Sequence, residues 1–231
     1  MKKILWTMMA LGLLTSCVNF HYSRKVSTLS VDERQLKDFE RIELLGSLDV
    51  KYAQSDSFAV RVEAPAKVID DVETRVEGNK LVLNMKGNRN VINFGVSDSD
   101  DVTVYVTSPD FLGIELKGSG DFESKGLLDT DKLDIILKGS GDIEFDDIIC
   151  DQVRVSLVGS GDIDVKNVRT LRSDVELVGS GDVKMQFDNS GQVDARLLGS
   201  GDITLSGVVK NYRNHVRGSG DMHVDGLNIE E

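Results

Sequence analysis

The chain has 231 residues, 39 acidic against 27 basic side chains and a formal net charge of −12 at pH 7. That balance disfavours nucleic acid and anionic headgroups as partners. Only 2 cysteines and 2 prolines occur, which excludes a disulfide framework and suits a hydrogen-bonded sheet with few interruptions.

Lys2 and Lys3 precede an apolar run, Ile4 to Leu14, which is too short to span a bilayer. Leu14-Thr15-Ser16-Cys17 follows and resembles the lipobox of bacterial lipoproteins, in which the cysteine becomes the acylated first residue. Residues 1–17 are therefore expected to be a lipoprotein signal peptide ending at lipidated Cys17. An ordinary signal peptide or a membrane anchor is the alternative. With Cys17 lipidated, Cys150 has no intramolecular partner. No histidine pairing pattern accompanies it, so it reads as a small core or turn residue. Residues 18–38, of mixed polarity, read as a tether.

Residues 39–110 read as an irregular N-terminal β section. Ile42, Leu44, Gly46-Ser47-Leu48-Asp49, Val50 and Tyr52 form a degenerate copy of a motif that recurs downstream. Phe58–Val62, Lys80–Met85 and Val102–Val106 alternate in the manner of strands. Val68–Val76 suits a helical turn or a strand, and Gly87–Asp101 a loop or irregular hairpin.

Residues 111–231 carry Gly-Ser-Gly-Asp six times, opening at Gly118, Gly139, Gly159, Gly179, Gly199 and Gly218, in steps of 21, 20, 20, 20 and 19 residues. Such a period marks a stacked repeat architecture. Two residues before the first glycine stand Leu116, Leu137, Leu157, Leu177, Leu197 and Val216. Four after it stand Phe122, Ile143, Ile163, Val183, Ile203 and Met222. Polar residues alternate with both columns, so each unit is strand, corner, strand and turn with one apolar side. Nine after the glycine, Leu127, Ile148, Val168, Val208 and Leu227 form a further apolar column, broken by Asp188 with Phe187 one place early. Stacking like on like closes a core, giving an all-β solenoid of about six coils, roughly 29 Å long at the strand spacing of ~4.8 Å. Glycine suits the corner because it accepts positive φ and lets backbones approach. Residues 39–231 thus form one continuous domain.

Phe39-x-x-Ile42-x-Leu44-x-Gly46-x-x-Asp49-Val50, then Ser108-Pro109-Asp110-Phe111-Leu112 leading into the repeats, is similar to the head GIN domain family of auto-transporter adhesins. The resemblance covers nearly all of residues 39–229. It implies a right-handed parallel β-solenoid and an envelope lipoprotein of bacteria with an outer membrane. It supplies no catalytic or binding residue. Leu48, where later copies have glycine, departs from the motif.

Several groups are candidates for chemistry. Asp121, Asp142, Asp162, Asp182, Asp202 and Asp221 stack in register. Calcium is one way to hold such a ladder, and hydrogen bonds from turn amides are the other. Asp174 and Asp194 fall on one outward face a coil apart, near the carboxylate spacing of a retaining glycosidase, with Arg154 and Arg213 flanking them. A solvated charged face produces the same pairs. His21, His215 and His223 lack ligand spacing. One residue before each first glycine, Val158, Val178 and Leu198 form an apolar stripe bracketed by Lys117, Lys138 and Arg217. If alternation persists to the corner this stripe faces outward and invites self-association or a partner. If the pleat breaks there, it is buried.

The expected function is that of a non-catalytic exported lipoprotein, an adhesin or envelope interaction module, held to the membrane by its lipid and binding a protein, a carbohydrate or a further copy of itself. A carbohydrate-active or polysaccharide-binding protein on the same scaffold is the rival. No cofactor is required, calcium excepted as above.

Overall fold

The computed structural model describes residues 29–86 and 102–230. Cys17, His21 and the 87–101 stretch lie outside them. The first strands are β1 (Leu29–Arg34), β2 (Arg41–Gly46), β3 (Asp49–Gln54) and β4 (Ala59–Pro65). A 3-10 turn (Ile69–Asp71) precedes β5 (Val72–Glu77), β6 (Lys80–Met85), β7 (Thr103–Ser108) and β8 (Gly113–Gly118). Long strands then follow, each a full coil: β9 (Phe122–Gly139), β10 (Ile143–Gly159), β11 (Ile163–Gly179), β12 (Val183–Gly199) and β13 (Ile203–Gly218), closed by β14 (Met222–Ile229).

The coils are parallel and in the register set by the repeats. Ile143 pairs with Phe122 and Ile163, Leu157 with Leu137 and Leu177, and Gly159 with Gly139 and Gly179. The chain is a parallel β-solenoid of about six turns. Inward residues of one coil, Ile143, Phe145, Ile148, Cys150, Val153, Val155 and Leu157, are all buried, and each joins a column of its counterparts. A single coil has no second layer, so the stack itself supplies the core.

The third apolar column differs from the expected one at two coils. Leu127 is 53% exposed and Leu128 takes the inward place, pairing with Ile148. In the later coil Gly207 takes the place between Phe187 and Leu227, Val208 falls off the column, and the buried Val209 pairs with Ser190 instead. A register shift follows Phe145, where the 21-residue repeat accommodates its extra residue. Phe187 pairs with Val168 and is buried, so its early position still fills the column.

The N-terminal section is ordered in space differently from its order in sequence. On one wall the strands run β1-β4-β7-β3-β9, and on another β5-β6-β2-β8-β9. β6 and β7 therefore underlie β2 and β3, although they come later in the chain. β4 and β5 add antiparallel strands beyond them, and β1 pairs antiparallel with β4. Strand structure is thus present at Leu29–Arg34, within the stretch read as a tether. Main-chain pairing with Val60–Pro65 orders it, and no apolar pattern announced that. Val68–Val76 supplies both of the alternatives considered for it, a helical turn and then a strand. An aromatic stack, Tyr52 on Phe111 at 4.2 Å and Phe122 against Phe145 at 5.5 Å, fills the junction between this section and the regular coils. Burial pushes the Tyr52 phenol up to about 12.

Candidate interaction surface

Backbone contact between coils governs the corners. The N–H of Ser140 donates to the Gly118 carbonyl at 2.9 Å, and Ser160, Ser180, Ser200 and Ser219 repeat the bond one coil on. Gly159 has φ 145°, and a Cβ there would lie 2.0 Å from the Gly139 carbonyl oxygen. The second glycine is excluded from carrying a side chain by contact alone, since a Cβ on Gly161 would lie 1.9 Å from the Gly141 oxygen. Leu48 escapes this constraint. It stands in the corner between β2 and β3, is fully buried, and lends its own carbonyl to the close approach of Gly120. The degenerate copy is therefore a genuine coil, with Ser119 N–H donating to the Gly46 carbonyl at 2.9 Å.

Beside the corner runs the aspartate ladder. The amide of Asp142 donates to Asp121 Oδ1 at 3.0 Å, Asp162 to Asp142 at 3.1 Å, Asp182 to Asp162 at 2.9 Å, Asp202 to Asp182 at 3.0 Å and Asp221 to Asp202 at 2.9 Å. Asp49 begins the series by accepting from the Asp121 amide at 3.1 Å. Each carboxylate from Asp49 to Asp202 is held by the amide of the next coil, where the sequence suggested amides of its own turn. Strand spacing brings the next coil's N–H within reach, whereas the local amides are spent on carbonyls of neighbouring coils. The Asp142 carboxyl is pushed above its ordinary range, first by partial burial and then by Asp121 and Asp162, with the Asp162 amide opposing. Among the described residues no group of three or more His, Cys, Asp or Glu side chains has metal-holding geometry.

The wall leading into the corner carries the apolar stripe. Lys138, Val158, Val178, Leu198 and Arg217 are in register. Val158 is 44% and Val178 37% exposed, Leu198 is half-buried, and Leu157, Leu177 and Leu197 behind them are fully buried. Alternation therefore continues to the glycine, and the stripe faces outward. The cations at its lower end are engaged. Lys117 reaches Glu43 at 2.7 Å and Glu115 at 3.1 Å, and Lys138 reaches Glu115 at 2.8 Å. Lys117 and Lys80 hold the Glu43 carboxyl below its usual range, the Lys117 hydrogen bond contributing most.

The sequence matches the family described as "Putative auto-transporter adhesin, head GIN domain" over residues 38–167 and 157–231. The chain belongs to this family. No curated protein matches it. Three crystal structures resemble this head GIN domain in fold. A "putative adhesin" of Bacteroides fragilis is 21% identical, with 85% of this chain and 97% of that one covered and a TM-score of 0.65. A "putative lipid binding protein" of Parabacteroides distasonis is 20% identical, with 86% and 97% covered and a TM-score of 0.68. A "putative adhesin" of the same species is 19% identical, with 86% and 98% covered and a TM-score of 0.59.

Other candidate groups of the head GIN domain stand as follows. Asp174 and Asp194 are in register on adjacent coils, but Arg213 donates to both oxygens of Asp194, from Nε at 2.6 Å and Nη2 at 2.9 Å. That hydrogen-bonded pair, before any other influence, holds Asp194 below the usual carboxylate range. Arg154 is exposed beside Asp174 in the ladder. His215 and His223 are exposed, with His223 Nε2 3.6 Å from Asp202 Oδ2. Cys150 is 6% exposed in a small polar column, its thiol donating to Thr170 Oγ1 at 3.5 Å while Thr170 N–H donates to Ser190 Oγ at 3.1 Å. Burial pushes the thiol up, away from the reactive thiolate. Sequence reading missed this column because its members, Cys150, Thr170 and Ser190, share size but not polarity.

Proposed function

We propose that this protein is a non-catalytic, lipid-anchored module of the cell envelope that works by adhesion or docking through the wall bearing Val158, Val178 and Leu198. The observation that carries the reading is the outward stripe itself. Three apolar side chains stand in register on a wall whose other outward residues on these coils are polar or charged, and this placement survives at a corner where burial was the alternative. Membership of an adhesin-named family supports an interaction role and an envelope or surface location. The lipobox at Cys17 supplies the anchor, and the outer membrane is the membrane we assign to it. The aspartate ladder is assigned a structural role, since the carboxylates from Asp121 to Asp202 each accept an amide of the next coil; removal of calcium with EDTA should then leave Tm unchanged. The glycosidase alternative is disfavoured because Arg213 occupies both oxygens of the carboxylate that would have to react.

The test is Val178→Lys in the full-length protein, with adhesion of intact cells and sedimentation of the purified chain as readouts. The variant should retain its Tm and lose adhesion or self-association. A stable variant unaltered in both would overturn the wall as the working surface. Loss of membrane retention in Cys17→Ala, and cleavage of the native protein by protease added to whole cells, test the anchor and the surface location separately.

A further inference from the structure

The last full coil is left half uncovered. β14 pairs with β13 from Ile203↔Met222 to Val209↔Ile229, and the amide of Glu230 donates to the Val209 carbonyl at 3.0 Å. Beyond that point Asn211–Gly218 pairs with β12 alone among the described strands, in register from Gln192↔Asn211 to Gly199↔Gly218. Among the described residues no strand pairs with its other edge, whose main-chain donors and acceptors are open to an added strand. The core columns end open at the same place. Val216, last of the column in which Leu197 is fully buried, is 42% exposed, Asn214 is exposed and Tyr212 is half-buried.

The outward rows of this edge are Arg213, His215 and Arg217, with Lys210 just before them. Residues 205–220 contain no carboxylate, although the whole chain carries a net charge of −12. Arg213 is taken by Asp194, which leaves Arg217 as the cation of the edge, with His215 beside it. Edge-to-edge pairing of two copies would bring these like charges together, so the edge selects against its own kind.

We infer that the Asn211–Gly218 edge is a strand-addition site for an extended segment of a partner protein in which apolar and acidic residues alternate. Main-chain bonds to the edge provide the attachment. Apolar side chains of the segment cover Tyr212 and Val216, and its carboxylates face His215 and Arg217. This site adjoins the end of the stripe, where Arg217 stands beside Leu198, but it rests on the open main chain of the last coil and not on the apolar residues of the stripe.

The experiment uses the full-length protein in detergent and a labelled peptide of alternating valine and glutamate, as long as Asn211–Gly218. A valine–lysine peptide serves as the control. Fluorescence anisotropy should show saturable binding of the acidic peptide only. Amide hydrogen exchange should slow at residues 211–218 and not at β1, β5 or β14, the other edges among the described strands. The pair Lys210→Glu and Arg217→Glu, both at exposed sites, should weaken binding by at least roughly tenfold at low salt. Failure to bind, equal binding of the lysine peptide, protection elsewhere, or indifference to the charge reversal would overturn the inference. So would sedimentation showing that the edge is already occupied by a second copy.

Discussion

Replacing Gly161 by alanine tests the corner geometry most directly. Its φ is not in the left-handed region, so the expected cost is one of space alone. The new Cβ would sit 1.9 Å from the Gly141 carbonyl oxygen and 2.9 Å from the Ser140 carbonyl carbon. Ordinary contact is at about 3.5 Å, so the two coils must part by about 1.5 Å at the corner. The bonds from the Ser160 and Gly161 amides to the Gly139 carbonyl, now 2.9 and 3.3 Å, would stretch beyond bonding range. Two such bonds at about 0.5–1.5 kcal/mol each, with overpacking of about 1–3 kcal/mol, give a loss of roughly 3 kcal/mol or more. At about 2–4 °C per kcal/mol for a chain of this size, Tm should fall by roughly 6–12 °C. Gly78→Ala provides the comparison. It has φ 64° with nothing within 4 Å of the added Cβ, so only the left-handed conformation costs it, about 1–2 kcal/mol. Thermal melts of both variants by circular dichroism decide the matter. If Gly161→Ala melts no lower than Gly78→Ala, close approach of the coils is not what demands glycine at the second position.

Leu157→Ala removes a fully buried side chain between Leu137 and Leu177 and should cost about 2–5 kcal/mol in urea unfolding; a cost below about 0.5 kcal/mol would mean the wall is inverted. Ser173 is fully buried with its hydroxyl unpartnered, in a column whose neighbours are Val153 and Val193, so Ser173→Val should stabilise by about 1 kcal/mol. A lower midpoint for that variant would show that the hydroxyl is needed. Asp142 has a folded pKa above its ordinary value, so its ionisation disfavours the fold: stability falls as pH rises from the ordinary carboxylate range through the folded pKa. Asp142→Asn keeps an acceptor for the Asp162 amide and removes the charge. It should therefore raise Tm at pH 7 and lose that advantage at pH values where Asp142 is protonated. An advantage that persists undiminished in acid would show that charge is not its origin.

The repeats made the regular coils legible because a parallel in-register stack places like residues on like residues. The period, the inward columns and the requirement for glycine all follow from that one condition. The sequence also contained the stripe at Val158, Val178 and Leu198, but not its orientation. Whether the pleat survives up to a corner depends on where the coil bends, and the backbone path alone shows that Val158 and Val178 point outward. The same holds for Leu127 and Leu128, adjacent apolar residues of which an extra residue in the repeat turns one out and the other in. The aspartates were visible as a ladder, yet the donor to each carboxylate lies a coil away, about 20 residues along the chain, where no local rule reaches. The N-terminal section was least legible. β6 and β7 slide beneath β2 and β3, and β1 reaches back to β4, because non-identical strands carry no shared columns to set their order. Main-chain pairing and the Tyr52–Phe111–Phe122 stack decide it, and both exist only once the chain has folded.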